Sequence, residues 1–130
     1  MIDRTAQRLL DGWQLGNVLA ADCPSRAILT HLTNRWGTLV MVALATGPHR
    51  FAELRRKVGG VSERMLSQTL KDLEADGFVL RTAHPVVPPH VVYELTALGR
   101  EAAAHVVALV GWIEGALPEI LAGKTALAAE

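Results

Sequence analysis

Val61–Glu74 reads VSERMLSQTLKDLE. At about 100° per residue on a helix, Met65, Leu66, Thr69, Leu70 and Leu73 fall on one arc. Arg64, Ser67, Gln68 and Lys71, spaced i, i+3, i+4 and i+7, fall on the opposite one. The first arc predicts burial. The second sets a cation, a hydroxyl, an amide and another cation in one stripe. Gln can pair bidentately with adenine, Ser bonds to several base edges, and Arg reads guanine or grips phosphate. An ordinary solvated face has the same composition, so the neighbouring sequence has to decide.

Just upstream, Glu53–Val58 (ELRRKV) predicts a short helix ended by Gly59-Gly60. Ser62 is placed to cap the next helix, which runs to about Asp76 before Gly77 stops it. Helix, glycine turn and helix make the helix-turn-helix pattern, whose second helix enters a major groove. Downstream, Phe78–Thr82 and His90–Leu95 are two β-rich runs joined by Ala83–Pro89 (AHPVVPP). Two strands directly after a helix-turn-helix predict a winged helix. The prolines limit the loop's conformational entropy, so its tip can lie along a DNA backbone at less ordering cost. Arg81, His84 and His90 are the wing's available donors.

Residues 3–20 carry apolar positions at helical spacing, interrupted by Gly12 and Gly16. Leu9 and Trp13 there are placed to pack on another subunit or to fold back. Cys23-Pro24 restarts a helix, since proline suits a first helical position, with Ile28, Leu29 and Leu32 as its apolar side. Asn34 caps a further helix from Arg35 to about Thr46. Trp36, Leu39, Val40, Ala43 and Leu44 form its core stripe, and Gly47-Pro48 stops it.

Thr96 caps the last helix, ALGREAAAHVVALVGWIEGAL. From Ala102 to Ile113 it is apolar on nearly every side, with His105 the clear exception. A surface helix on one small domain needs a single apolar stripe. One that is apolar all round calls for a second partner, and a symmetric homodimer is the commonest. Leu98, Val106, Leu109, Trp112 and Ile113, with Leu9 and Trp13, are the expected interface. Pro118 and Gly123 are expected to close the helix and residues 124–130 to fray. The organisation is then an N-terminal helical extension (1–22), a winged helix (23–95), a dimerisation helix (96–122) and a tail (123–130).

The chain has 130 residues, half of them hydrophobic, which suits one domain with its own core. Net charge is zero, so no global field recruits nucleic acid and any DNA contact must rest on local charge. Residues 50–81 hold seven Lys/Arg against five acids, and the remainder six against eight. A lone cysteine, Cys23, excludes an intramolecular disulfide and a cysteine-cluster zinc site. The N-terminus lacks a signal-peptide core, and Ala102–Ile113 is too short to span a bilayer. These features predict a cytoplasmic protein with no membrane role. The five histidines form no metal-ligand pattern, no phosphate-binding glycine loop occurs, and no nucleophile or acid–base set is spaced for catalysis. No cofactor, no metal and no enzymatic activity are expected.

Assembled in this order, the chain resembles the HxlR-type winged-helix regulators, relatives of the MarR group. The resembling residues are Cys23-Pro24, Asn34-Arg35-Trp36, Gly47-Pro48-His49-Arg50-Phe51, Glu53-Leu54-Arg55, and Ser62 through Leu66. They continue with Leu70, Leu73-Glu74, Asp76-Gly77, Arg81, Val87-Pro88-Pro89, Val91, Tyr93, Leu95-Thr96 and Gly99. The blocks cover about residues 23–112. Arg35 stands where the family commonly has Lys, Val92 where an acid often precedes the tyrosine, and the segment before Cys23 is long. The resemblance implies a dimeric DNA-binding regulator of prokaryotic cytoplasm. It also implies that Cys23, at the family's Cys-Pro position, senses oxidants or electrophiles. A helix start beside Arg26 favours the thiolate, Asp22 opposes it, and an inert half-buried thiol is the competing expectation.

The expected function is therefore a homodimeric regulator, a repressor, reading an inverted-repeat operator in double-stranded DNA. Ser62, Arg64, Ser67, Gln68 and Lys71 are the major-groove set. Arg50, Arg55, Arg81, His84 and His90 are the backbone and wing set, gripping phosphate without reading sequence. An effector, a small molecule or an oxidant, is admitted by the same reading. The competing class is a winged helix that docks a protein with the same helix and binds no DNA.

Overall fold

A computed structural model of the chain describes residues 3–10 and 18–129, with the side chain of Leu9 outside the description. The elements run α1 (Arg4–Leu10), α2 (Pro24–Thr33), α3 (Arg35–Leu44), β1 (His49–Arg50), α4 (Phe51–Lys57) and α5 (Glu63–Ala75). They continue with β2 (Val79–His84), β3 (His90–Leu95) and α6 (Ala97–Ala129). This is the expected winged helix-turn-helix, mostly helical with a small antiparallel sheet of order β1-β3-β2. Of the expected N-terminal helix, Arg4–Leu10 is helical. Trp13 lies outside the described residues, so its expected place in an interface, and that of the Leu9 side chain, have no structural counterpart.

The core lies between α3, α4, α5 and the sheet. Val40, Met41, Leu54, Leu66 and Leu73 are fully buried there. The amphipathic pattern of α5 explains its seat: Leu66, Thr69, Leu70 and Leu73 are buried as expected. Met65 is not. It is 42% exposed, because it sits at the edge of the apolar arc rather than at its centre.

The helix-turn-helix is shaped by local caps. Ser62 Oγ accepts the Met65 N–H at 3.1 Å and opens α5. Its other end closes with Gly77 at φ +84°, Gly77 N–H bonded to Glu74 O and Phe78 N–H to Leu73 O. That left-handed glycine with paired bonds is a Schellman stop. Thr96 then ties the next element on: its hydroxyl accepts the Gly99 N–H at 2.9 Å and donates to Gly77 O at 2.6 Å. The start of α6 is thereby fixed against the end of α5. Gly99 is needed for this approach, since a Cβ there would lie 1.9 Å from Phe78 O.

Several expectations are corrected. α4 begins at Phe51 rather than Glu53 and ends at Lys57, because Glu53 Oε1 accepts the Arg50 N–H at 2.9 Å and closes a turn two residues earlier. α3 ends at Leu44 rather than Thr46, and Leu39 is exposed. Ile28 and Leu29 are exposed as well, and α2 buries no residue of its own. Phe78 precedes the strand, whereas β2 runs on to His84, which pairs with His90. Cross-strand pairing carries the ladder two residues past the expected end and leaves the tip as residues 85–89.

The largest correction concerns α6. It passes through Pro118 and Gly123 and stays helical to Ala129, a length of about 50 Å at 1.5 Å per residue. By length and composition alone it is long and apolar enough to cross a membrane, contrary to the reading of Ala102–Ile113 as too short. Its first turns, however, pack on the winged helix through Gly99, Ala103 and Val106. Val106 is 7% exposed and belongs to the domain's own core, so it is removed from the expected interface. Leu98, Leu109, Trp112 and Ile113 are exposed.

Candidate nucleic-acid interface

The outward face of α5 follows from its burial pattern. With Leu66, Leu70 and Leu73 seated in the core, Arg64, Gln68 and Lys71 are exposed and Ser67 is half-buried. Ser62 is exposed at the N-terminus of the helix, its hydroxyl engaged as the cap. Gln68 Nε2 donates to Asp72 Oδ1 at 3.0 Å, one turn along the same face. The five residues expected to face DNA thus share one helix. Asp72 was absent from that expectation, and its i, i+4 spacing to Gln68 was the available signal.

The phosphate-gripping candidates are spread around this helix. Arg55, at the end of α4, reaches Glu63 in the first turn of α5 at 4.0 Å, both side chains largely exposed. Arg50 precedes α4 and lines a shallow surface depression with Ala52, Glu53 and Arg56. The Glu53 carboxyl is held below its ordinary value, chiefly by the hydrogen bond from the Arg50 backbone N–H. Arg81 is exposed on β2, opposite Tyr93. His84 and His90 close the wing as a cross-strand pair, their rings stacked with centroids 4.8 Å apart. His90 Nδ1–H points to Pro88 O at 3.2 Å. Val87 at the tip is almost wholly exposed.

A polar pair of buried His49 and exposed Lys57 braces this arrangement. His49 on β1 donates from Nδ1 to Gly47 O at 2.6 Å, which leaves Nε2 to accept from Lys57 Nζ, also at 2.6 Å. Lys57 therefore ties the end of α4 to the sheet. Nothing in sequence spacing alone would have paired these two.

Cys23 forms the N-cap of α2, half-buried, with its Sγ 3.0 Å from Ser25 Oγ. The Arg26 guanidinium reaches back to the carbonyls of Val18 and Leu19 at 3.1 and 2.8 Å. At the far end of α2, His31 Nδ1 meets Asp76 Oδ2 at 2.6 Å. Between α6, the end of β3 and the end of α3 lies a cleft of about 300 Å³ lined by Ala45, Leu95, Arg100, Ala103, Ala104 and Val107. Arg100 supplies the polar group that the sequence did not single out for that cleft. Among the described residues no cluster of three or more His, Cys, Asp or Glu is placed to hold a metal ion.

A family model described as HxlR-like helix-turn-helix matches residues 31–120. The chain belongs to this family. An HTH-type transcriptional regulator of Escherichia coli (strain K12), YtfH, is 58% identical over 114 residues, 88% of this chain and 90% of that protein. The solved structure of YtfH from Salmonella typhimurium, described as a transcriptional regulator, is similar with a TM-score of 0.81 and 56% identity. It is matched over 85% of this chain and 98% of that one. The redox regulator HypR, solved in its oxidized form, is similar with a TM-score of 0.66 and 35% identity, over 72% of this chain and 96% of its own. This HxlR-family protein is thus a DNA-binding transcriptional regulator, and its family is not enzymatic.

Proposed function

We propose that the protein is a homodimeric repressor that binds an inverted-repeat operator in double-stranded DNA of the cytoplasm. The observation that carries this reading is the exposed stripe of Arg64, Gln68 and Lys71, on a helix whose other face is core. Each subunit lays α5 in a major groove, with Ser62 and Ser67 at its approach. Arg50, Arg55, Arg81 and the wing histidines His84 and His90 contact the flanking backbone. The exposed face of α6, with Leu98, Leu109, Trp112 and Ile113, meets the same helix of a second copy. That contact sets the two reading helices one turn of DNA apart, about 34 Å. Occupancy of an operator near a promoter is enough to repress, with no activating surface required.

A salt titration on duplexes taken from the DNA beside the gene tests this. Neutralising several phosphates predicts a steep fall in affinity with salt, and Arg81→Ala lessens the slope by about 1. A flat response, or equal binding without duplex, would instead support a protein-docking helix.

A signal input through Cys23 is part of the same proposal. The likeness to a redox regulator and the seat of Cys23 at the N-cap of α2 support it. An oxidant or an electrophile is the effector class that a single thiol can register.

A further inference from the structure

Gln68 does not project from the reading helix as a free rotor. Its Nε2 is bonded to Asp72 Oδ1 at 3.0 Å. A carboxamide is nearly symmetric in shape but not in chemistry, since one end accepts and the other donates twice. Unheld, it turns over and meets donors and acceptors alike. A carboxylate only accepts, so Asp72 selects the NH₂ end and turns Oε1 the other way. One Nε2 hydrogen is then occupied.

What remains to face a ligand is one acceptor beside one donor. In the major groove adenine offers an N6–H₂ donor beside the N7 acceptor, while guanine offers two acceptors, N7 and O6. The held amide complements adenine and sets Oε1 against an acceptor of guanine. We infer that Asp72 is a positioning residue that fixes the Gln68 amide and makes it read adenine. The inference rests on the proposed DNA-reading role of α5. It also accounts for a half-buried acid on a surface that must approach phosphates: the carboxylate repels the backbone, and the amide it orients is the compensation.

Selection from a randomised duplex library, with the full-length protein, tests the inference. Wild type, Asp72→Ala, Asp72→Asn, Gln68→Ala and the double alanine variant are compared. Alanine favours helix, and circular dichroism confirms that α5 is intact. Wild type should enrich adenine at one position of each half-site. Asp72→Ala should lower the adenine-over-guanine preference there about five-fold, the order expected for one orienting hydrogen bond, while binding random DNA more tightly. Asp72→Asn, whose amide can accept from Nε2 or donate to Oε1 and so no longer selects one end, should lower the preference as well. Gln68→Ala should lose it, and adding Asp72→Ala to that variant should change nothing more at that position.

An unchanged preference in Asp72→Ala overturns the inference and leaves the DNA role of α5 standing. So does a loss at a different position from the one that Gln68→Ala affects, which would mean that Asp72 reads a base itself. A wild type that enriches no sequence overturns the DNA-reading role, and the inference falls with it.

Discussion

His31 Nδ1 and Asp76 Oδ2 meet at 2.6 Å, joining the last turn of α2 to the C-terminal cap of α5. Their side chains are 27% and 14% exposed. Because α2 buries no residue, it is held by this pair, by half-buried Leu32 and by the Thr38 hydroxyl donating to Leu32 O at 2.8 Å. His31→Ala and Asp76→Ala should each cost about 1 kcal/mol of unfolding free energy. The double variant should cost less than the sum, because the second change finds no partner left to lose. Urea unfolding followed by circular dichroism measures all four proteins. Strictly additive losses would show that the contact couples nothing.

Leu109 and Val106 lie one turn apart on α6 but should fail differently. Leu109 is 51% exposed on the isolated subunit, and Val106 is part of its core. Leu109→Glu should give a folded monomer, since the charge is tolerated in water and buried without a partner only in the dimer. Val106→Glu should unfold the subunit itself. Light scattering and thermal melts separate the two. A wild-type monomer at micromolar concentration would remove the second copy as the cover of α6, and partition of wild type into lipid vesicles would reassign the helix to a bilayer.

α5 was legible in the sequence as an amphipathic helix because its signals agree at every level. Ser62 caps it, Gly77 ends it, and the burial of Leu66, Leu70 and Leu73 leaves a polar stripe outside. The wing was legible as two β-rich runs, but its extent was not. His84 joins β2 because His90 lies opposite it, and pairing partners are a property of the fold. α6 hid for a related reason. An all-round apolar helix does not say which side faces its own core, so Val106 and Leu109 look alike in sequence. Pro118 reads as a stop, yet the helix continues through it. Asp72 and Arg100 carry no distinguishing signal in the sequence, because acids and lone cations on helices are usually solvated.

Glu53 gives the fold a small acid sensitivity of definite sign. Its carboxylate accepts the Arg50 N–H, with Arg56 and Arg50 charges adding to the effect and partial burial opposing it. The folded state therefore holds its proton less tightly than the unfolded state. Stability from this group is fully present above the ordinary value of 4.5 and is lost as pH falls through the lower folded value. The melting temperature of wild type should exceed that of Glu53→Gln near neutrality, and the gap should close on acidification below that range. A gap that stays constant with pH would mean that the capping carboxylate carries no such linkage.

Cys23 and α5 lie at opposite ends of a chain of contacts, and that arrangement yields a prediction beyond simple loss of the thiol. Cys23 occupies the N-cap position of α2, its thiol beside the Ser25 hydroxyl, and His31 near the end of α2 grips Asp76 at the end of α5. A quinone adds to the Cys23 thiolate by forming one C–S bond, with no second cysteine needed. The adduct is too large for a half-buried cap beside Ser25, so it should shift α2, and α2 should pull on Asp76. Operator affinity of wild type should fall at least ten-fold after quinone treatment, with mass spectrometry confirming one adduct per chain. Cys23→Ser should not respond. His31→Ala should take up the adduct yet keep most of its affinity, because the link to α5 has been cut. If His31→Ala loses affinity on modification as wild type does, the signal does not travel through His31 and Asp76. If Cys23→Ser also responds, it does not begin at this thiol.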